Sequence, residues 1–347
     1  MERRIIGSKP SATPSAAAPA QASHVRIDEG SEGQRLDNFL VKHLKGVPKS
    51  HVYRVIRSGE VRVNKGRADA STRLALGDDV RLPPVRTAAA PDPATHAPVP
   101  AREFTVVFED DHLLALDKPA GVAVHGGSGV DFGVIEQLRR ARPGAVFLEL
   151  VHRLDKETSG LLLVAKKRSA LVALQDQLRA RAGDKTIVKS YAALAAGVWP
   201  ANLKVIDVAL HKYVDADGER RVRAVDAEHA AAKRSITLVQ VARAWPACTL
   251  LDVTLKTGRT HQIRVHLASS GHPIVGDPKY GDFALNRAYA RGTALPGLPG
   301  FRFGRMFLHA RALRFAHPAD GRTVELAASL PAECRGLIDA LSAGHDA

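Results

Sequence analysis

Residues 151–165 read Val151-His152-Arg153-Leu154-Asp155-Lys156-Glu157-Thr158-Ser159-Gly160-Leu161-Leu162-Leu163-Val164-Ala165. The last five form an unbroken apolar run, short enough for a strand and suited to burial in a sheet. The ten before them are polar and densely charged, so they read as a loop braced by that strand. An aspartate in such a loop, Asp155, is well placed to be held rigid at a cleft. Taken by itself, an aspartate there more often pairs with a neighbour such as Arg153 or caps a turn.

The segments around this run share its character. Phe104 to Phe108, Leu113 to Leu116, Ile187 to Ala195, Arg234 to Val241 and Thr249 to Leu255 all read as strands. In the last, Thr249, Leu251, Val253 and Leu255 alternate onto one face. Asp217-Gly218 and Asp320-Gly321 are hairpin-turn pairs. Helices are fewer. Ser169 is placed to cap one that holds Leu171, Leu174 and Leu178, and Thr260 to cap one that runs to Ser270 and stops at Gly271. Strands outnumber helices without regular βαβ alternation, which predicts an α+β domain with a mainly antiparallel sheet.

A smaller unit precedes it. Leu36, Phe39, Leu40 and Leu44 recur at helical spacing, predicting a helix over 35–45. Ser50 and Gly59 bracket a second, with Val52, Tyr53, Val55 and Ile56 on its apolar side and Arg54 and Arg57 on another. Val61 and Val63 then alternate as in a half-buried strand, and Gly77-Asp78-Asp79 turns into Val80-Arg81-Leu82. Between Arg35 and Arg86 stand twelve Lys or Arg against five Asp or Glu. A basic helix pair followed by a small sheet suits phosphate tracking on folded RNA. Low-complexity stretches flank the unit. Residues 7–24 hold Pro10, Pro14 and Pro19 among Ala and Ser, too little apolar surface to offset ordering. Prolines from Pro83 to Pro100 resist both helix and ladder pairing, as in a semi-stiff linker. The organisation predicted is a disordered tail over 1–29, a small basic domain over 30–86 suited to RNA, a Pro/Ala-rich linker over 87–101 and a large strand-rich domain over 102–347.

Composition narrows the function. Fifty Lys and Arg oppose thirty-six Asp and Glu, a formal charge of +14, and the pI is near 10.0. That is the footprint of a protein whose partner is a polyanion, nucleic acid first. No apolar run reaches the roughly 18 residues of a membrane-spanning helix. Cys248 and Cys334 are too few for a disulfide framework or a cysteine-rich zinc site. The Pro/Ala/Ser stretch behind the N-terminal arginines is no secretory signal, so a cytoplasmic location is expected.

Two further runs carry candidate chemistry. In Lys256-Thr257-Gly258-Arg259-Thr260-His261-Gln262-Ile263-Arg264-Val265-His266, a strand ends at the Thr-Gly turn and Arg264 falls near a helix start. Arginine suits pairing with a buried carboxylate because its charge cannot be titrated away; phosphate binding at a helix N-terminus is the other reading. In Lys189-Ser190-Tyr191, alternation puts Lys189 and Tyr191 on one strand face, and a tyrosine facing a cleft can stack on a base; a core position is its default. His125-Gly126-Gly127-Ser128-Gly129 has the look of an oxyanion loop, but no Gly-x-Ser-x-Gly elbow accompanies it. No dinucleotide fingerprint or phosphate-binding loop is present. His261 and His266, five apart, do not share a helical face for zinc.

In residues and in order, these runs resemble the motifs of the RluA-type pseudouridine synthases. His152 to Gly160 resembles the active-site motif, and Lys189-x-Tyr191 and Gly258 to His266 resemble the next two. Leu308-His309-Ala310 and Phe315-Ala316-His317-Pro318 resemble the C-terminal pattern. The small unit is similar to the RNA-binding domain shared with ribosomal protein S-four. Gly46 to Ser50, Gly59 to Lys65 and Ala123 to Gly129 resemble the RluC branch, which modifies three uridines of large-subunit (23S) ribosomal RNA. The resemblance runs from about Gly33 onward; only the Lys156-Glu157 pair and the tail stand apart.

The resemblance implies isomerisation of uridine to pseudouridine with Asp155 as catalytic carboxylate. Arg264 is expected to pair with it and keep it ionised, and Tyr191 to stack on the target base. Arg153 is expected to enter the gap left by a flipped uridine. His152, Lys49, Arg54, Arg57, Arg62 and Lys65 are expected to join it in RNA contact. The reaction oxidises nothing and imports no group, so no metal or cofactor is implied. The expected partner is large-subunit ribosomal RNA, bound by a monomer away from membranes. Other rRNA or tRNA uridines are alternative targets. From other classes, a non-catalytic assembly factor would lack Asp155 or Arg264, and a methyltransferase would need a glycine-rich donor site.

Overall fold

The computed structural model describes residues 22–44, 46–84, 99–127, 132–180, 187–295 and 300–343. Residues 1–21 of the expected tail, 85–86 at the end of the expected small domain and 87–98 of the expected linker lie outside them, as do Lys45, Ser128 and Gly129. Two compact units divide between Pro98 and Val99. No described helix is long and apolar enough to cross a membrane.

The first unit comprises β1 (Ser23–Arg26), α1 (Leu36–His43), α2 (Lys49–Arg57), β2 (Arg62–Val63) and β3 (Asp79–Leu82), with sheet order β1-β3-β2. Leu36, Phe39 and Leu40 of α1 and Val52, Val55 and Ile56 of α2 bury against Ile27, Val61, Leu74 and Val80. β1 corrects the expectation of a disordered tail reaching residue 29. Behind the Pro/Ala/Ser stretch, Val25 and Ile27 supply apolar side chains to this core, and the edge of β3 pairs with β1. Ser50 does not cap α2. The helix starts at Lys49 with Pro48 as its N-cap, whose ring presets its backbone φ. Asn64 and Lys65 take positive φ values of 50° and 67° while Val63 and Gly66 exchange both backbone bonds. This is the tight two-residue hairpin turn, and it puts exposed Lys65 at its tip.

The second unit holds β4 (Thr105–Glu109), β5 (Leu113–Lys118), α3 (Val134–Ala141), β6 (Glu149–Leu150), β7 (Ser159–Ala165), α4 (Arg168–Arg179), β8 (Val188–Ala196) and β9 (Val205–Asp207). It continues through β10 (Ala209–Val214), β11 (Arg220–Val225), β12 (Ile236–Trp245), β13 (Cys248–Leu255), α5 (Gln262–Ser269), α6 (Phe283–Arg291), β14 (Leu308–Ala316), β15 (Thr323–Ala327) and α7 (Ala332–Ala343). β10 and β11 form a separate hairpin around Asp217-Gly218. The other strands make one sheet, ordered β4-β5-β7-β14-β8-β13-β12-β9, with β15 on β14 and β6 on β7. Every pairing is antiparallel except β7 with β14, so the fold is α+β with a mainly antiparallel sheet.

β7 sits inside this sheet. Leu162 and Val164 bury with Val134, Ile135 and Leu138 of α3, and Leu161, Leu163 and Ala165 with Ala170, Leu171 and Leu174 of α4. Burial on both faces is why the run shows no alternation, and each such leucine contributes about 1.5–3 kcal/mol. At its start, Gly160 has φ +107° and a Cβ there would collide with the Ala310 carbonyl of β14. Only glycine lets the two strands approach there, so the Asp155 loop leaves the sheet at a fixed point. Two expected caps are corrected. α4 begins at Arg168 with Lys167 as N-cap, and α5 is capped by His261 rather than Thr260. The second has a clear cause. The Gln262 side-chain oxygen accepts from Thr257 Oγ1 (2.8 Å) and Arg259 N (3.0 Å), closing the turn itself.

Candidate active site

Asp155, Arg264 and Tyr191 meet in one cleft of the second unit, about 2490 Å³ in volume, with Arg153, His152, Lys189 and His261 also on its wall. The expected contacts Lys49, Arg54 and Arg57 lie on α2 of the first unit and Arg62 and Lys65 on β2 and its turn.

Arg264 is the hub. Its Nε and Nη2 donate to the two carboxylate oxygens of Asp277 (both 2.7 Å), and Nη1 donates to Asp155 Oδ2 at 3.0 Å. The side chains of Arg264 and Asp277 are 5% and 0% exposed, against 25% for Asp155. Burial opposes the charge on Arg264, but its bonds to Asp277 and Asp155 outweigh that and raise its pKa. Burial likewise opposes the charge on Asp277. Arg264 and the amides of Tyr280 and Lys279 overcome it and hold the carboxyl below its ordinary value. The guanidinium fork thus spends two bonds on a buried anchor and presents a third to Asp155.

On the other side, His261 Nε2 stands 3.8 Å from Asp155 Oδ1, and Nδ1 lies 2.7 Å from Tyr280 Oη. Tyr280 Oη also accepts from Val222 N at 3.0 Å. Burial pushes the Tyr280 hydroxyl up to about 12, so it keeps its proton. Tyr191 is buried in the same core as Ile263 of α5; burial, then the charge of Asp155, raises its pKa.

Below the loop, buried Lys118 donates from Nζ to the carbonyls of Pro119 and Val122 (both 2.8 Å) and of Lys156 (3.1 Å), the residue after Asp155. Burial pushes this amine down to about 7, while three carbonyl acceptors match the three N–H groups of the ammonium. Lys118→Met is expected to strand these carbonyls at roughly 1–3 kcal/mol each. It should also loosen the loop, lowering turnover more than RNA affinity. Single-turnover rates and filter binding check this, and equal losses in both would contradict it.

His152 has a place within the loop rather than on its outer face. Its Nε2 accepts from Leu163 N at 3.1 Å. Burial, then Lys189, pushes it down to about 4, so it brings no positive charge toward RNA at neutral pH. Arg153, by contrast, is exposed and makes no ion pair among the described residues. His309 supports the same corner. Its Nδ1 meets Ser159 Oγ (2.9 Å), which accepts from Arg305 Nη2 (2.6 Å), and its Nε2 meets the Ala328 carbonyl (3.2 Å). Burial lowers His309 from 6.5 to about 4. Its stabilising contribution is therefore full above about pH 6.5 and lost as the pH falls toward 4, by up to about 3 kcal/mol. Urea melts at both ends of that window should show the loss, and His309→Gln a shallower slope. An equal slope would place the effect elsewhere.

Asp277, Lys118 and Tyr280 escaped the sequence reading, and His261 was weighed there only as a zinc ligand. Gly276-Asp277-Pro278-Lys279 reads as an ordinary loop, and a lysine before Pro119 at a strand end as a solvated tip. The signal for Lys118 was its place two residues behind the apolar run Leu113 to Leu116.

Residues 112–269 match the family described as RNA pseudouridylate synthase, and residues 34–80 match the S4 domain. The chain belongs to the RNA pseudouridine synthases, isomerases that act on RNA. It is 47% identical over 318 residues to Ribosomal large subunit pseudouridine synthase C of Haemophilus influenzae, covering 91% of this chain and 94% of that one. With the protein of the same name from Escherichia coli K12 it shares 48% identity over 310 residues, 88% and 92% of the two chains. Among solved structures, Human RNA Pseudouridylate Synthase Domain Containing 4 is similar with a TM-score of 0.54 and 25% identity, covering 69% of this chain and 93% of that one.

Proposed function

We propose that the chain isomerises uridines of large-subunit (23S) ribosomal RNA, three in number as in the branch it resembles, with Asp155 as catalytic carboxylate. The observation that carries this is the one-sided hold on Asp155. Arg264 fixes Oδ2, and Oδ1 has no hydrogen bond among the described residues. The isomerisation breaks the N1–C1′ bond, turns the uracil and joins C5 to C1′; C5 loses a proton and N1 gains one. A carboxylate serves such a reaction by attack on carbon or by removing a proton, and either use needs an oriented, ionised oxygen. Tyr191 supports the base, and Arg153 fills the gap of the flipped nucleotide. The names of the curated relatives support the choice of large-subunit RNA. The test is pseudouridine mapping of ribosomal and transfer RNA from cells without this protein. Reversion of a few 23S positions to uridine is expected. An unchanged profile overturns the reading, and a loss confined to tRNA transfers it to another substrate.

Lys49, Arg54, Arg57, Arg62 and Lys65 serve affinity in this reading. Changing Lys49, Arg54 and Arg57 together to Glu should weaken RNA binding. It should also flatten the log–log salt dependence by roughly 2, at about 0.7–0.9 for each phosphate no longer neutralised. An unchanged slope would remove α2 from the RNA-binding surface.

A further inference from the structure

Arg264 leaves one oxygen of Asp155, Oδ1, without a hydrogen bond among the described residues, and His261 is the side chain turned toward it. The geometry between them is specific. Their 3.8 Å separation is too long for a direct hydrogen bond, yet it leaves room for one oxygen atom within reach of both.

Which proton His261 carries follows from its other contact. Tyr280 Oη already accepts from Val222 N–H, so its own proton is free for His261 Nδ1 at 2.7 Å. With one bond accepted and one donated, the phenol is satisfied as both donor and acceptor. His261 is then the tautomer with hydrogen on Nε2, and burial, against the pull of Asp155, favours its neutral form. His261 is the N-cap of α5 with its backbone in the left-handed region, φ 54°, and the ring is held from behind by the Tyr280 hydroxyl. A fixed donor, Nε2–H, and a fixed acceptor, Oδ1, thus face one small gap.

The occupant of that gap must accept and donate through a single atom. In an internal uridine of an RNA chain, the base carbonyls only accept and N3–H only donates. The phosphate and ring oxygens only accept. The ribose 2′-hydroxyl alone does both. We propose that His261 and Asp155 Oδ1 together grip the 2′-hydroxyl of the target nucleotide, making His261 a specificity residue for ribose over deoxyribose, with Tyr280 as the positioning residue that sets its tautomer. This rests on Asp155 being the catalytic carboxylate, as proposed above.

The test uses the full-length protein and two synthetic 23S fragments spanning a target site. Both already carry pseudouridine there, so neither turns over, and they differ only in a 2′-hydroxyl or 2′-hydrogen on that nucleotide. Wild type is expected to bind the hydroxyl form roughly tenfold tighter or more. His261→Ala and Tyr280→Phe should bring the ratio toward one while affinity for the deoxy form holds. His261→Gln, which keeps an N–H near Nε2, should preserve the ratio. No preference in wild type, meaning that water alone fills the gap, would overturn the inference. So would a preference that survives in His261→Ala, or an equal loss for both fragments in the variants. Conversion of the unmodified fragment is scored alongside. Its failure in wild type overturns the 23S reading itself, whereas conversion without a 2′ preference overturns only the role of His261.

Discussion

Asp155→Asn is expected to abolish pseudouridine formation while RNA binding survives. The substitution keeps the shape of the side chain and can retain one hydrogen bond from Arg264, which lies 3.0 Å from Oδ2. It removes the charge and the nucleophilic, proton-accepting oxygen. Loss of a residue that takes part in the chemistry costs on the order of 10⁴-fold or more in rate. Because C5 loses its proton, release of tritium from RNA labelled at C5 of uridine reads the chemistry directly. Filter binding of the same RNA should change little. A near wild-type tritium release would take Asp155 out of the mechanism.

Arg264→Gln is expected to damage both stability and turnover, for separable reasons. It strips a partner from Asp277, which is wholly buried, and from Asp155 at the cleft. Breaking a buried pair by removing one member costs roughly 3–5 kcal/mol, a fall in Tm on the order of 10 °C for a domain of this size. The double variant Arg264→Gln/Asp277→Asn removes the stranded charge, so melting should recover much of that loss. Turnover should stay low, because Asp155 still lacks its hold. Recovery of activity together with stability would mean that Arg264 serves only the fold.

Much of this architecture was legible in local pattern. The apolar run Leu161 to Ala165 and the alternation from Thr249 to Leu255 became β7 and β13 because burial alone decides them. Short-range chemistry was less legible. Thr260 has the residue type of a cap, yet Gln262 closes the turn with its own side chain. β1 was masked by the low-complexity stretch before it, since composition says nothing of a partner edge more than fifty residues away. In the site, Asp155 and Arg264 stand 109 residues apart, and only the family resemblance joined them. Asp277 was invisible because its role depends wholly on burial, which a Gly-Asp-Pro loop does not announce. Lys118 was missed for the opposite reason: a lysine is read as a solvated end, while here its three donors are taken up by carbonyls of the segments they hold together.

Whether a carboxylate at position 155 isomerises uridines in 23S RNA is tested most directly on an unmodified 23S transcript. The transcript is incubated with the purified protein and no added cofactor, and pseudouridine is then mapped site by site. Pseudouridine at a small set of uridines with wild type, and at none with Asp155→Asn, is the predicted result. Conversion by both proteins alike, or no conversion anywhere in the transcript, would contradict it.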